Sequence, residues 1–171
     1  MALTATKSSN INILETYDGV LTGVPIVPGS VINAGDIIIW DPALNAGNGG
    51  ARTPAVQADI TLASGGFLGT SRQQSPIASL GDYINNIDYT KQGAVRLHTT
   101  PGETYKMFTP VYWNDAIDVQ TITTVVGART QIIGYIHLPQ QSAMQGVLFV
   151  TGAAGVDVQV LLQPRFPNVI I

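Results

Sequence analysis

The stretch Gly35-Asp36-Ile37-Ile38-Ile39-Trp40-Asp41 constrains this chain more than any other. Successive side chains of a strand point to opposite faces. Three consecutive isoleucines and a tryptophan therefore do not describe a strand with one wet face. The run is short, opens at a Gly-Asp turn and closes on an acid, so it reads as a strand buried on both faces. A looser copy stands at Pro110-Val111-Tyr112-Trp113-Asn114-Asp115-Ala116. With Trp40 laid on Trp113 the offset is 73 residues, and Trp40-Asp41-Pro42-Ala43 falls on Trp113-Asn114-Asp115-Ala116. A second short strand with glycine follows each copy, Gly66-Phe67-Leu68-Gly69 in the first half and Gln131 to Ile136 in the second. One β-unit is used twice, with different insertions.

Around these copies the chain is a series of short apolar runs punctuated by Gly, Pro and Asn. Gly19–Val24, Ala94–Thr99, Thr104–Phe108, Val119–Val126, Thr130–Leu138, Gly146–Val150 and Val156–Leu162 read as strands. In the last of these, Val156, Val158, Val160 and Leu162 share one face. Val56–Leu62 also alternates and is expected as a strand, and residues 42–54, rich in Gly and Asn, as a loop. Ser75-Pro76 followed by Ile77, Leu80 and Ile84 predicts the single short helix, over 75–85. Strands at roughly 8–12-residue spacing with turn residues between them mark an all-β sandwich or barrel of short antiparallel strands. The expected organisation is an N-terminal arm over 1–12, a single β domain over 13–162 divisible into lobes 20–93 and 94–162, and a C-terminal docking tail over 163–171.

Composition narrows the function. Charged residues are 11% of the chain, against about 25% in ordinary globular domains. The eight Lys and Arg are scattered, whereas a nucleic-acid footprint needs a basic face. Mean hydropathy is positive, +0.23, yet no apolar run approaches the roughly 18 residues of a membrane helix. The first ten residues lack the apolar core of a signal peptide. There is no cysteine, which fits a reducing compartment and excludes disulfides and thiolate metal sites. Few charges with high hydropathy point to a surface covered by other subunits, because the centres of obligate interfaces are depleted in charge. The partner-docking residues expected on this ground are Leu3 in the arm and Phe166, Val169, Ile170 and Ile171 in the tail.

Side chains that carry chemistry are few. His98 and His137 stand outside any HExxH or His-x-His arrangement. Asp36, Asp41, Asp115 and Asp118 bracket the two Trp strands, and Asp in such steps is first a turn former. No segment holds three acids within six residues, as a calcium loop would. Tyr105, Phe108, Tyr112 and Trp113 are either a sugar platform or packing, and the packing reading is preferred. No catalytic residue, metal or cofactor is expected.

The order of these elements is familiar. The Gly35-Asp36-led apolar strand, the Phe67-Leu68-Gly69 strand, Ala94–His98, the Val111-Tyr112-Trp113-Asn114-Asp115 strand, Ile132–Ile136 and the terminal Val156-Asp157-Val158-Gln159-Val160 strand resemble the small capsid decoration (cement) proteins of tailed bacteriophages. The likeness spans roughly residues 20–162. It implies a non-enzymatic virion protein made in the host cytoplasm. Such a protein sits on the outer capsid surface as a homotrimer and bridges major capsid proteins, without nucleic-acid or membrane partners. Other phage structural components, such as a head-fibre base, tail or connector protein, and a carbohydrate-binding β module are the alternatives.

Overall fold

A computed structural model describes residues 20–61, 65–76, 84–137 and 149–162. The described chain is all-β. An antiparallel five-stranded sheet is built from β1 (Val20–Pro25), β2 (Ile37–Asp41), β3 (Gly50–Arg52), β4 (Gly66–Ser71) and β5 (Asn86–Thr90), in the order β1-β5-β4-β2-β3. The later residues supply β6 (Gly93–Thr99), β8 (Pro110–Trp113), β9 (Thr121–Thr123), β10 (Gly134–Ile136) and β12 (Asp157–Leu162). These close into a barrel in the order β10-β12-β6-β9-β8. Its one parallel contact, β6 with β9, completes the ring. A ribbon of β7 (Thr104–Lys106) and β11 (Phe149–Thr151) lies beside it.

The triple-isoleucine strand sits where the sequence requires. Ile37, Ile38 and Ile39 are all fully buried. Ile37 and Ile39, with Phe67, join the core that holds Leu97, Val111, Trp113, Ile122, Val158 and Val160 of the barrel. Ile38 points the other way, into a second cluster with Ile26, Ile32, Ala51, Ile87 and Tyr89. That second cluster is enclosed because the sheet curls. Ile26, just past β1, bridges Ala51 of β3 across what would otherwise be an open gap.

Polar bonds lock the sheet to the barrel. Ile37 N donates to Val119 O at 3.1 Å, and the Gln57 side-chain amide donates to Trp113 O at 2.8 Å. Between them the buried Asp36 carboxylate accepts from Gln120 Nε2 at 2.8 Å and from its own turn, at Asn33 N, at 2.7 Å. Two glycines allow close backbone approach inside the repeated unit. A Cβ at Gly69 would lie 2.0 Å from Thr90 O, and one at Gly134 would lie 2.3 Å from Leu161 O.

The repeat is visible in the fold. β2 pairs antiparallel with the glycine strand β4, and β8 pairs antiparallel with the glycine strand β10. Each Trp is followed by a side chain that closes a tight turn two residues on. Ala43 N donates to Asp41 Oδ1 at 2.9 Å, and Ala116 N donates to Asn114 Oδ1 at 3.2 Å. An arginine then holds each of those side chains: Arg52 Nε reaches Asp41 at 2.8 Å, and Arg129 Nη2 reaches Asn114 at 3.3 Å.

Three expectations are corrected. Residues 56–61 do not form a strand. Gln57–Ile60 is a single helical turn, because the Asp59 carboxylate accepts from the N–H of Ala55 and of Val56 at 2.7 and 3.2 Å and folds the chain back on itself. The loop over 42–54 contains strand β3 and a second one-turn segment, Leu44–Gly47, in which Asn45 and Ala46 are left-handed. The expected helix start at Ser75 is instead a bridge to Ile32, with Ser75 N and Ile32 N donating to each other's carbonyls at 2.8 and 2.9 Å. Residues 77–83, in the middle of that expected helix, lie outside the described residues, as do the arm over 1–12 and the tail over 163–171.

Burial on both faces makes a specific demand. Ile38→Ala and Ile39→Ala should each cost about 2–5 kcal/mol, measured by urea unfolding, whereas a strand with one wet face would lose that much at only one of the two positions. The Arg52 guanidinium grips Asp59 at 2.9 and 3.0 Å. That bond holds the Asp59 carboxyl well below its ordinary value of 3.8, against a smaller opposing push from burial. A depressed folded-state pKa stabilises above the unfolded pKa and is lost as pH falls through the folded value. Asp59→Asn should therefore cost about 1–2 kcal/mol at neutral pH, and the gap to the parent protein should close as pH falls below 3.8.

Candidate functional site

Most side chains that looked capable of chemistry are committed to structure. Asp36 and Asp41 are taken up by the turns and the arginine described above, and Asp115 pairs with Arg129 Nη2 at 3.3 Å. Asp118 accepts from Gln120 N and Thr121 Oγ1, each at 2.8 Å. Burial alone would raise the Asp118 pKa, but these two bonds and the neighbouring His98 outweigh it and hold the carboxyl low. His98 lies on β6 between two carboxylates, with Nδ1 3.7 Å from Asp118 and Nε2 3.7 Å from Asp157, and its side chain is 44% exposed. His137 follows β10, its N–H donating to Gln159 O at 2.7 Å. β12 stands between β6 and β10, with His98 opposite Asp157 and His137 beside Gln159. The His137 Nδ1 atom is buried and has no hydrogen-bond partner among the described residues. No three His, Cys, Asp or Glu side chains among the described residues gather as metal ligands would.

The aromatic group divides. Tyr105, Tyr112 and Trp113 are buried, so they are packing, and a sugar platform built on them is ruled out. The Tyr105 hydroxyl donates to Ile122 O at 2.7 Å and accepts from Thr100 N at 2.8 Å. Phe108 alone of the four is at the surface, 67% exposed.

Among the described residues of the barrel half, Phe108 also has the least ordinary backbone. It turns the chain from β7 into β8 with φ +62°, and its N–H donates to Ile136 O at 2.8 Å. A bulky residue in the left-handed region costs about 1–2 kcal/mol, and such outliers concentrate where surfaces do work. The ring borders a crevice of about 350 Å³ on the outside of the barrel, lined by Gln92, Gly93, Phe108, Tyr135, Leu161 and Leu162. The lining comes together because three strand ends meet there: Gly93 of β6 pairs with Leu162 of β12, and Tyr135 of β10 pairs with Leu161.

Beyond the other end of β8, Ile117, Val125 and Val126 are each more than half exposed. Their loops are firmly held. Glu103 accepts from Thr123 Oγ1 at 2.5 Å and from Thr124 N at 2.7 Å. Arg129 Nε donates to Trp113 O at 2.9 Å. Low charge and apolar runs in the sequence pointed to exposed apolar surface in general. The positions of Phe108 and the two valines carry no sequence signal, because Thr104–Phe108 reads simply as an alternating strand. The docking residues expected at the termini, Leu3 and Phe166, Val169, Ile170 and Ile171, lie outside the described residues.

The Phe108 backbone makes a test of sign. At an ordinary position Ala is more stable than Gly, but here Gly alone relieves the left-handed strain. Phe108→Gly should exceed Phe108→Ala in stability by about 1 kcal/mol, roughly 2–4 °C in Tm for a chain of this size.

Comparison with known protein families, with curated proteins and with solved structures found no match to this chain.

Proposed function

We propose that this chain is a structural protein of a tailed-phage virion. It binds the outer surface of the capsid, as a homotrimer, and stabilises the shell by bridging major capsid proteins. The reading rests on three independent supports: the order of strand motifs that resembles capsid decoration proteins, the 11% charge content, and the apolar surface left in water by the single chain. The observation that carries it is Phe108. A strained backbone that presents a large ring 67% exposed beside an apolar crevice makes little sense for a chain that works alone, because the cost of the strain is offset only if the ring it presents is covered.

On this reading the crevice and the Ile117–Val126 surface are docking faces for neighbouring protein. Each contact is weak, and repetition over a symmetric shell makes the total strong. Mass counting of the chain in purified particles tests the role. Hundreds of copies per particle are expected; a few dozen or fewer would assign it to a fibre, tail or connector instead. Phe108→Gly supplies the residue-level test. It should fold at least as well as Phe108→Ala yet occupy the capsid at least about tenfold less tightly than the parent chain, a loss equal to one modest hot-spot residue. Parental occupancy by Phe108→Gly would remove the crevice from the docking surface.

A further inference from the structure

The chain contains one Asn-Gly step, Asn48-Gly49. In general peptide chemistry this is the most reactive step towards deamidation, since glycine leaves the following amide nitrogen unhindered. The nitrogen of Gly49 would attack the Asn48 side-chain carbonyl carbon, forming a new C–N bond and expelling ammonia. Water then opens the resulting succinimide at either carbonyl. The products are aspartate, or isoaspartate, in which the main chain runs through the former side chain and is longer by one methylene.

The fold opposes each part of this reaction although Asn48 itself is exposed. Gly49 N–H is donated to Leu44 O at 2.9 Å. The side-chain N–H of Asn48, on the nitrogen that would leave, donates to Asn45 O at 2.9 Å. Asn48 holds ψ at −9°, and ring closure needs that torsion turned well away. The Asn45 side chain clamps the far side of the turn by donating to Gly49 O at 2.9 Å.

We propose that Asn48 is a conformation-gated modification site: closed in the folded chain, reactive once the 44–50 turn opens, and unable to close again after conversion to isoaspartate. The last point follows from the packing of Gly49. It is buried with φ +82°, and a Cβ there would lie 2.1 Å from Trp40 Cζ2. Gly49 is thus pressed against the Trp40 ring, and a main chain lengthened by one methylene just before it shifts Gly49 from the one position that fits. The turn also sets the register of β3, which pairs Gly50 with Asp41 and Ala51 with Trp40. It places Arg52 on Asp41 and Asp59 as well. Isoaspartate at position 48 thus detaches the edge strand that covers the Ile38 cluster. Opening of this turn is recorded covalently, as a permanent mark on chains that have opened.

The test uses the full chain. Folded protein and the same protein in urea are held in mildly alkaline buffer, and conversion at each Asn is followed by peptide mapping with isoaspartate-specific methyl labelling. Asn48 should convert fastest of all Asn in urea and at least about tenfold more slowly in the folded chain, the protection expected of a segment that must open locally first. Equal rates in the two conditions, or another Asn converting faster in urea, would overturn the gate. The isoaspartyl form is then purified and returned to native buffer beside Asn48→Asp, which carries the same charge without the methylene. Asn48→Asp should match the parent Tm to within a few degrees. The isoaspartyl form should melt lower, with faster amide exchange at Ala51 and Arg52, or fail to refold. An isoaspartyl form as stable as Asn48→Asp would overturn the claim that the turn cannot reclose.

Discussion

A strand with three isoleucines in a row has no face to give to water, and the rest of the molecule follows from that. Each buried isoleucine contributes about 1.5–3 kcal/mol only if its own side of the strand is covered. The chain meets the demand with two different bodies. The barrel covers Ile37 and Ile39, while the curl of the five-stranded sheet covers Ile38. β2 belongs to the sheet and sends two of its isoleucines into the core shared with the barrel. The two are also bonded at the point where β2 begins, through Asp36 and Gln120. A buried carboxylate with neutral donors from both sides favours one relative placement of sheet and barrel, because any other leaves the charge without partners.

The two Trp strands show how one local device serves two architectures. Trp, a turn closed by the next side chain and an arginine that reaches that side chain recur with the same pattern of partners. What differs is the partner on the other edge. In the first copy a glycine-rich turn lets β3 fold back beside β2, with Gly49 admitting the Trp40 ring. In the second copy β9 takes that edge of β8 and carries it on to β6, closing the ring. The device ends a strand and fixes its exit, and the insertion after it decides between a curled sheet and a closed barrel.

This explains which parts of the fold were legible. Period-two patterns and Gly-Pro-Asn punctuation report local geometry, so most strands, the clean alternation of β12 and the Trp repeat could be read directly. Long-range pairing leaves no such trace. The parallel β6–β9 contact that closes the barrel is invisible in either strand alone. The one-turn helix at Gln57–Ile60 hides behind a misleading pattern. Val56, Ala58, Ile60 and Leu62 alternate as a strand would, but the Asp59 carboxylate folds the segment back onto Ala55 and Val56, and Arg52, outside the alternating run, holds that carboxylate. Asp36, Asp41 and Asp118 could be recognised as turn formers. The crevice could not, because Tyr135, Leu161 and Phe108 meet only through the register of three strands.

The exposed apolar side chains differ from the incidental ones found on any protein surface. A lone surface valine on a mobile loop can fold inward or sample many positions, and ordering it against a partner then costs conformational entropy. Val125 and Val126 stand on a loop whose neighbouring residues are bonded to Glu103 and to the Trp113 corner. Phe108 stands on a turn held by Ile136 O and locked in a torsion that few side chains tolerate. The backbone part of the ordering cost has been met during folding, so a partner's apolar contact converts into affinity with less loss. Surfaces of that kind suit a protein whose individual contacts are small and must be made many times in the same geometry.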